Sequence, residues 1–314
     1  MSVFPVESDS STGADESSTL GRGQFRRPHA QPPKQIPLEK VVARATEIST
    51  LPHIALKVME VARNPDSNAA DLKTVVEGDP SLSARVLRTV NSAAYAIRSK
   101  VTNLHQAISL LGFNQIRNLA ITASASDSFK IDNVSGSYRR SGLWRHLVSV
   151  GICARLIAAR TRMSQFEDAF LAGLLHDFGI IVEDQHAPEG FRAMLHNMDN
   201  TQSLTEAEQE YLGFDHAILG NRVAEAWKFP PVVRAAIRFH HIADKCKEEF
   251  LPIVRCVEVA NFICSLKGIS SVGLNLTAPP GEALKALSFT KEDVKVLVVD
   301  LDEEMIRYED LYRL

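Results

Sequence analysis

The stretch Leu174-Leu175-His176-Asp177-Phe178-Gly179 sets an adjacent imidazole and carboxylate inside an apolar run, Ala172 to Val182. A buried carboxylate without a partner is expensive, so such a pair calls for a cation, a hydrogen-bond network or water beside it. A divalent metal is one such cation. More donors of the same kind follow in the second half of the chain. His146 comes just after Trp144 and opens an apolar helix. His216 sits in Gly213-Phe214-Asp215-His216-Ala217, and His240-His241 closes a helix at Phe239. Asn261 interrupts the apolar helix Val257-Glu258-Val259-Ala260-Asn261-Phe262. Imidazole and carboxylate together suit Fe, Mn or Zn far better than Ca.

Each residue also has a plain structural reading. A lone histidine on an apolar helix is usually a hydrogen-bonded core residue. His216 fits a helix N-terminus with Asp215 as cap, and His240-His241 fits the negative end of a helix. His176 and Asp177, if helical, point about 100° apart, so a shared site must lie in the angle between them. Several helices must then close round that angle, which is what a helical bundle does well.

The rest of the chain supplies such helices. Pro52 opens an apolar run that ends near Asn64-Pro65, and a short helix spans Asp71 to Glu77. Asp79-Pro80 is a start signal, with Asp as cap and Pro at the first helical position. Leu82, Val86, Leu87 and Val90 then form one buried stripe. Leu104 to Leu111 is stopped by Gly112, and Phe113 to Ser126 follows. A polar stretch, Asp127 to Ser141, connects to a second series of helices from Leu143 onward. Helices are predicted for Phe166 to Val182, Gly190 to Met198, Thr205 to Leu212, His216 to Trp227, Pro231 to Phe239, Pro252 to Leu266 and two more after Pro280. This is an all-α, two-lobed bundle. Its divisions are a disordered leader over 1–35, an N-terminal helical lobe over 36–130, a second lobe over 141–268, and a C-terminal helical extension over 280–314.

Bulk properties narrow the function. Of the 314 residues, 45% are apolar, and the formal net charge is -3. That balance argues against an extended nucleic-acid surface, which needs a clustered basic face. Arg85, Arg88, Arg98 and Lys100 are read as a solvated helix face. No continuous apolar run reaches the ~18 residues of a membrane span. The first residues lack an apolar h-region, and Cys153, Cys246, Cys256 and Cys264 form no CxxC pair, so a reduced, cytoplasmic protein is expected.

Glu77-Gly78-Asp79-Pro80-Ser81-Leu82-Ser83-Ala84-Arg85-Val86-Leu87, then Val90-Asn91-Ser92-Ala93-Ala94-Tyr95 and Gln106-Ala107-Ile108-Ser109-Leu110-Leu111-Gly112, resemble the HDOD domain. Phe214-Asp215-His216-Ala217-Ile218-Leu219-Gly220, Trp227-Lys228-Phe229-Pro230 and His240-His241 fit it too. HDOD is the HD-related output domain of bacterial signalling proteins, within the HD superfamily of metal-dependent phosphohydrolases. The likeness covers roughly 45–265. It implies a two-lobed helical fold and a regulatory role exercised through protein partners. His146, His176 and Asp177 match HD metal positions. Asn261 stands where catalytic HD enzymes have Asp, Ile180 where HD-GYP cyclic-di-GMP phosphodiesterases have Lys, and Ile242-Ala243-Asp244 replaces Gly-Tyr-Pro.

Two readings follow. In the first, the chain is a regulatory module that binds another signalling protein, with a degenerate metal pocket made from His146, His176, Asp177, His216, His240, His241 and Asn261. In the second, a divalent metal of Fe, Mn or Zn type lowers the pKa of bound water toward ~7 for attack on a phosphodiester. The last helix either docks on the core or mediates self-association.

Overall fold

The computed structural model describes residues 33–48, 50–131, 134–198, 202–273 and 277–313. The expected leader over 1–35 lies almost wholly outside them. Helices dominate as anticipated. The first lobe holds α1 (Leu38–Glu47), α2 (His53–Arg63), α3 (Ala69–Glu77), α4 (Pro80–Val90), α5 (Leu104–Leu111) and α6 (Phe113–Ala125). Asp79 caps α4 as its sequence predicts, accepting from the backbone N–H groups of Ser81 and Leu82 at 2.9 and 3.0 Å. Gly112 ends α5 with a φ of 85°, a conformation that side chains resist. Asp79→Ala is expected to cost about 1 kcal/mol in a urea titration; an unchanged midpoint would show that the cap contributes nothing.

The connecting stretch is a 3-10 turn over Ser126–Phe129 followed by a two-residue antiparallel hairpin, β1 (Val134–Ser135) and β2 (Tyr138–Arg139), with Ser135 opposite Tyr138. It leads straight into α7 (Arg140–Arg160). By length and composition α7 is apolar enough to cross a membrane, yet 72% of its apolar window is buried inside the protein. It is the central core helix. Around it lie α8 (Phe166–Leu175), α9 (Phe178–His186), α10 (Pro188–Asn197), α11 (Leu204–Tyr211), α12 (His216–Ala226), α13 (Pro231–Phe239) and α14 (Leu251–Leu266). The C-terminal helices are α15 (Gly281–Ala286), α16 (Lys291–Arg307) and α17 (Glu309–Tyr312).

Two glycines let α7 and α8 touch. A Cβ on Gly173 would lie 2.8 Å from the Val150 carbonyl oxygen and 2.9 Å from the Gly151 Cα. This pairing, with α14 packed on both helices, forms the centre of the second lobe. The lobes meet where α6 lies on α8, tied by Arg117 to Asp168 at 3.0 Å and by the Asn118 amide to the Glu167 carboxylate at 2.7 Å. α1 also rests on α9 and α12. α16 docks on α7 and α14, where Arg155 of α7 reaches Glu304 at 3.7 Å and stacks over the Tyr308 ring. The basic face of the first lobe is partly neutralised, since Arg85 makes a two-pronged pair with Asp127 at 3.0 and 3.1 Å. Cys153, Cys256 and Cys264 are buried, and the four cysteines are free thiols.

Candidate metal centre

The expected single helix from Phe166 to Val182 is two helices. α8 stops at Leu175 and α9 starts at Phe178, with His176 and Asp177 in the break. Asp177 leaves helical geometry, at φ -98° and ψ 16°. The side chains are therefore not held to the helical 100° offset, and both turn toward one centre. The break has a steric companion in Gly179. A Cβ there would overlap the carbonyl oxygen of His216, so α9 and α12 begin almost in contact.

Imidazoles from four elements converge on Asp177. Its Oδ2 lies 3.4 Å from Nε2 of both His146 and His176. Its Oδ1 lies 3.2 Å from Nε2 of His216 and 3.1 Å from Nε2 of His240. Nε2 of His241 stands 3.1 Å from Nε2 of His216. These are ion-pair distances, but the angles leave the buried Oδ1 without a hydrogen bond. His146, His176, Asp177, His216 and His240 are at most 2% exposed, and His241 opens toward solvent. Asn261 is buried on α14, and among the described residues no hydrogen bond ties it to these six.

The outer nitrogens explain the orientation of the rings. His146 Nδ1 donates to the Ile269 carbonyl at 2.9 Å, and His176 Nδ1 to the Gly173 carbonyl at 2.7 Å. His240 Nδ1 donates to the Ala236 and Ile237 carbonyls at 3.0 and 3.1 Å. His216 Nδ1 meets both oxygens of Glu208, at 2.9 and 2.8 Å. Carbonyls only accept, so the proton of each neutral ring sits on Nδ1 and the Nε2 lone pair faces inward. Lone pairs then oppose one another at 3.3 Å between His146 and His176, and Nε2 of His216 and Nε2 of His240 stand equally close. That repels unless a cation or proton lies between. Nitrogens on one ion at ~2.1 Å have about this separation.

Protonation follows the same field. Burial pushes His176 down to about 4 despite the pull of Asp177. Although the residue opens toward solvent, its ring is packed against the other imidazoles, and that burial, with the nearby His240 and His216, pushes His241 well below the usual histidine range. His216 goes the other way: burial opposes its charge, but Glu208 and Asp177 outweigh it and hold the ring protonated well above 6.5. Asp177 stays ionised, since His176 and His216 overcome the effect of burial. Two residue groups could therefore hold a metal ion, His146-His176-Asp177 and Asp177-His216-His240-His241.

Two buried acids escaped the sequence reading. Glu208 looked like part of a polar surface helix, and nothing in Thr205 to Leu212 marked it out. Glu183 had a visible signal, since Glu183-Asp184 ends the apolar run after His176-Asp177. Glu183 is fully buried, and its oxygens find no partner in hydrogen-bonding geometry. Burial and the Glu208 carboxylate raise it well above 4.5, so it keeps its proton. An unfolded chain loses that proton above 4.5 while the folded one holds it, so this stabilising contribution is full below 4.5 and declines as pH rises. Glu183→Gln is expected to be more stable than the parent at neutral pH, with the advantage gone in acid. Parallel urea midpoints across that range would refute this.

Residues 48–243 match the HDOD domain. An uncharacterized protein of Treponema pallidum (strain Nichols) is 26% identical over 227 residues, covering 70% of this chain and 43% of that protein. The chain thus spans less than half the length of this curated relative. A crystallised HDOD domain protein of unknown function from Geobacter sulfurreducens superposes with a TM-score of 0.69 at 24% identity, over 88% of this chain and 98% of the other. A protein of Marinobacter aquaeolei VT8, provisionally named for signal transduction, gives 0.67 at 24% identity over 91% and 62%. One of Shewanella amazonensis SB2B, provisionally named a phosphohydrolase, gives 0.67 at 21% identity over 88% and 99%. These likenesses establish the helical fold.

Proposed function

Because this chain belongs to the HDOD family, we propose that it is a cytoplasmic regulatory protein of bacterial signal transduction, acting through a protein partner and built around a divalent-metal pocket. The observation that carries the metal is the inward convergence of four imidazole Nε2 atoms on the two oxygens of Asp177, with a fifth, that of His241, beside His216. His146 and His176 would hold one ion of Fe, Mn or Zn type with Oδ2. His216, His240 and His241 would hold a second with Oδ1. Such an ion, when bound, can lower the pKa of water and polarise a phosphate oxygen.

The chain's own residues favour retention of the ion over turnover. Catalytic metal sites keep an open coordination position. Here the ligands are almost wholly buried, with His241 alone at the mouth. Asn261 contributes no negative charge, and the Lys of the HD-GYP enzymes is replaced by Ile180, which is fully buried. Loading the His216 half must also expel the proton that Glu208 and Asp177 keep on that ring, so uptake weakens as pH falls.

Metal analysis of the purified full chain, a phosphodiesterase assay on a generic substrate and partner capture from the native cell test this together. Bound Fe, Mn or Zn, no turnover and a specific protein partner are expected. Brisk hydrolysis abolished by Asp177→Ala would replace this reading with that of a phosphohydrolase.

A further inference from the structure

Glu208 makes the two halves of the pocket unequal. In the His146-His176 half, both outer nitrogens rest on neutral backbone carbonyls, of Ile269 and Gly173. In the other half, His216 Nδ1 rests on a carboxylate, within 2.9 Å of both its oxygens. Oε2 of Glu208 accepts the backbone N–H of His216 as well, at 3.0 Å. One side chain thus fixes the ring and the first residue of α12 at the same time. Glu208 and His216 are both 0% exposed, so no solvent screens the contact.

Placement on the fold supports a dedicated role. Glu208 comes from α11, one helix before the residue it holds, and sits at the start of α12. There the free N–H groups of the helix favour negative charge. Asp215 already caps that helix, accepting from Ile218 N–H at 2.7 Å. The contact of Glu208 with the His216 ring goes beyond helix capping, which concerns backbone N–H groups alone. A carboxylate behind a ligating imidazole fixes its tautomer and raises its donor strength, and loss of such a partner typically costs 10–100-fold in metal affinity.

We infer that Glu208 is a positioning residue that makes the Asp177-His216-His240-His241 half the tighter of two cation sites, filled before the His146-His176 half. The inference rests on the metal-pocket reading above and goes beyond it by ranking the halves. It also supplies a second negative charge close to a pocket whose ligand set includes one carboxylate.

The test is a manganese titration of metal-stripped full-length protein, followed by the electron paramagnetic resonance of free Mn²⁺. Two binding phases are expected. Glu208→Gln keeps the size of the side chain and an oxygen able to accept from Nδ1, but removes the charge. It should weaken the first phase by about 10–100-fold and leave the second in place. His146→Ala should remove the second phase and spare the first. Glu208→Asp retains the charge and should bind more tightly than Glu208→Gln, which separates charge from packing; circular dichroism checks that each variant folds. If Glu208→Gln binds like the parent, or if its loss falls on the phase that His146→Ala removes, Glu208 does not rank the sites and the metal pocket still stands. If the parent takes up no Mn²⁺, Fe²⁺ or Zn²⁺, both the ranking and the pocket fall.

Discussion

Asp177→Ala is expected to leave the purified protein without bound divalent metal and to weaken the fold by several kcal/mol. The carboxylate is common to both groups of potential ligands, so no other single substitution removes a donor from each. Its loss also acts on the metal-free protein. His216 is held protonated between Asp177 and Glu208, with the ring 0% exposed. Removing one partner of a buried ion pair costs about 3–5 kcal/mol, because the charge left behind is poorly compensated. Glu208 remains, so the loss should fall toward the lower end. Elemental analysis reads the first effect, and denaturation of the metal-stripped protein reads the second. Asp177→Asn separates them, since it keeps the volume and loses the charge. An Asp177→Ala protein that retains stoichiometric metal would show that the imidazoles suffice, and the bridging role of Asp177 would be wrong.

Gly179→Ala is expected to be the most damaging single-methyl addition in the second lobe. The added Cβ would overlap the backbone oxygen of His216, a position fixed by α12 and by the hydrogen bond from His216 N–H to Glu208. Relief would require moving the start of α9 away from α12. Gly220 closes the other side, since a Cβ there would lie 3.1 Å from the Gly179 nitrogen. Overpacking ordinarily costs about 1–3 kcal/mol, and overlap with backbone belongs at the top of that range or above it. Metal uptake should fall as well, because His176-Asp177 and His216 lie on the two segments that would separate. Gly281→Ala is the control, as its Cβ would meet nothing within 4 Å. It should be neutral or slightly stabilising, through lower entropy of the unfolded chain. Equal melting temperatures for the two variants would remove the argument that this contact organises the pocket.

Much of this protein was legible in its residues because the signals are local. Helix periodicity, the Asp79-Pro80 start and the Gly112 stop depend on neighbours within a turn or two, and the structure repeats them. The HDOD resemblance rests likewise on short runs with strict wording. The histidines and Asp177 could be named as candidates because imidazole and carboxylate are conspicuous in apolar helices. The break at His176-Asp177 was not visible, since the apolar run from Ala172 to Val182 continues unchanged through it. The break coincides with the approach of α12 at Gly179, a contact between residues 37 positions apart in the chain.

Burial was equally hidden in α11. Thr205, Glu206, Glu208 and Glu210 give that helix a solvated look, yet Glu208 faces inward against His216. A carboxylate's pattern along one helix cannot tell whether a neighbouring helix brings it a partner. The chain by itself determined its helices, its family and the kinds of atoms available for a site. Only the packing of α7, α8, α9, α11, α12 and α13 decided that four imidazoles surround one carboxylate, that His241 joins them beside His216, and that an acid stands behind His216. The reason is physical: helix formation is settled by interactions over a few residues, whereas convergence of side chains depends on interhelix contacts between segments far apart in sequence.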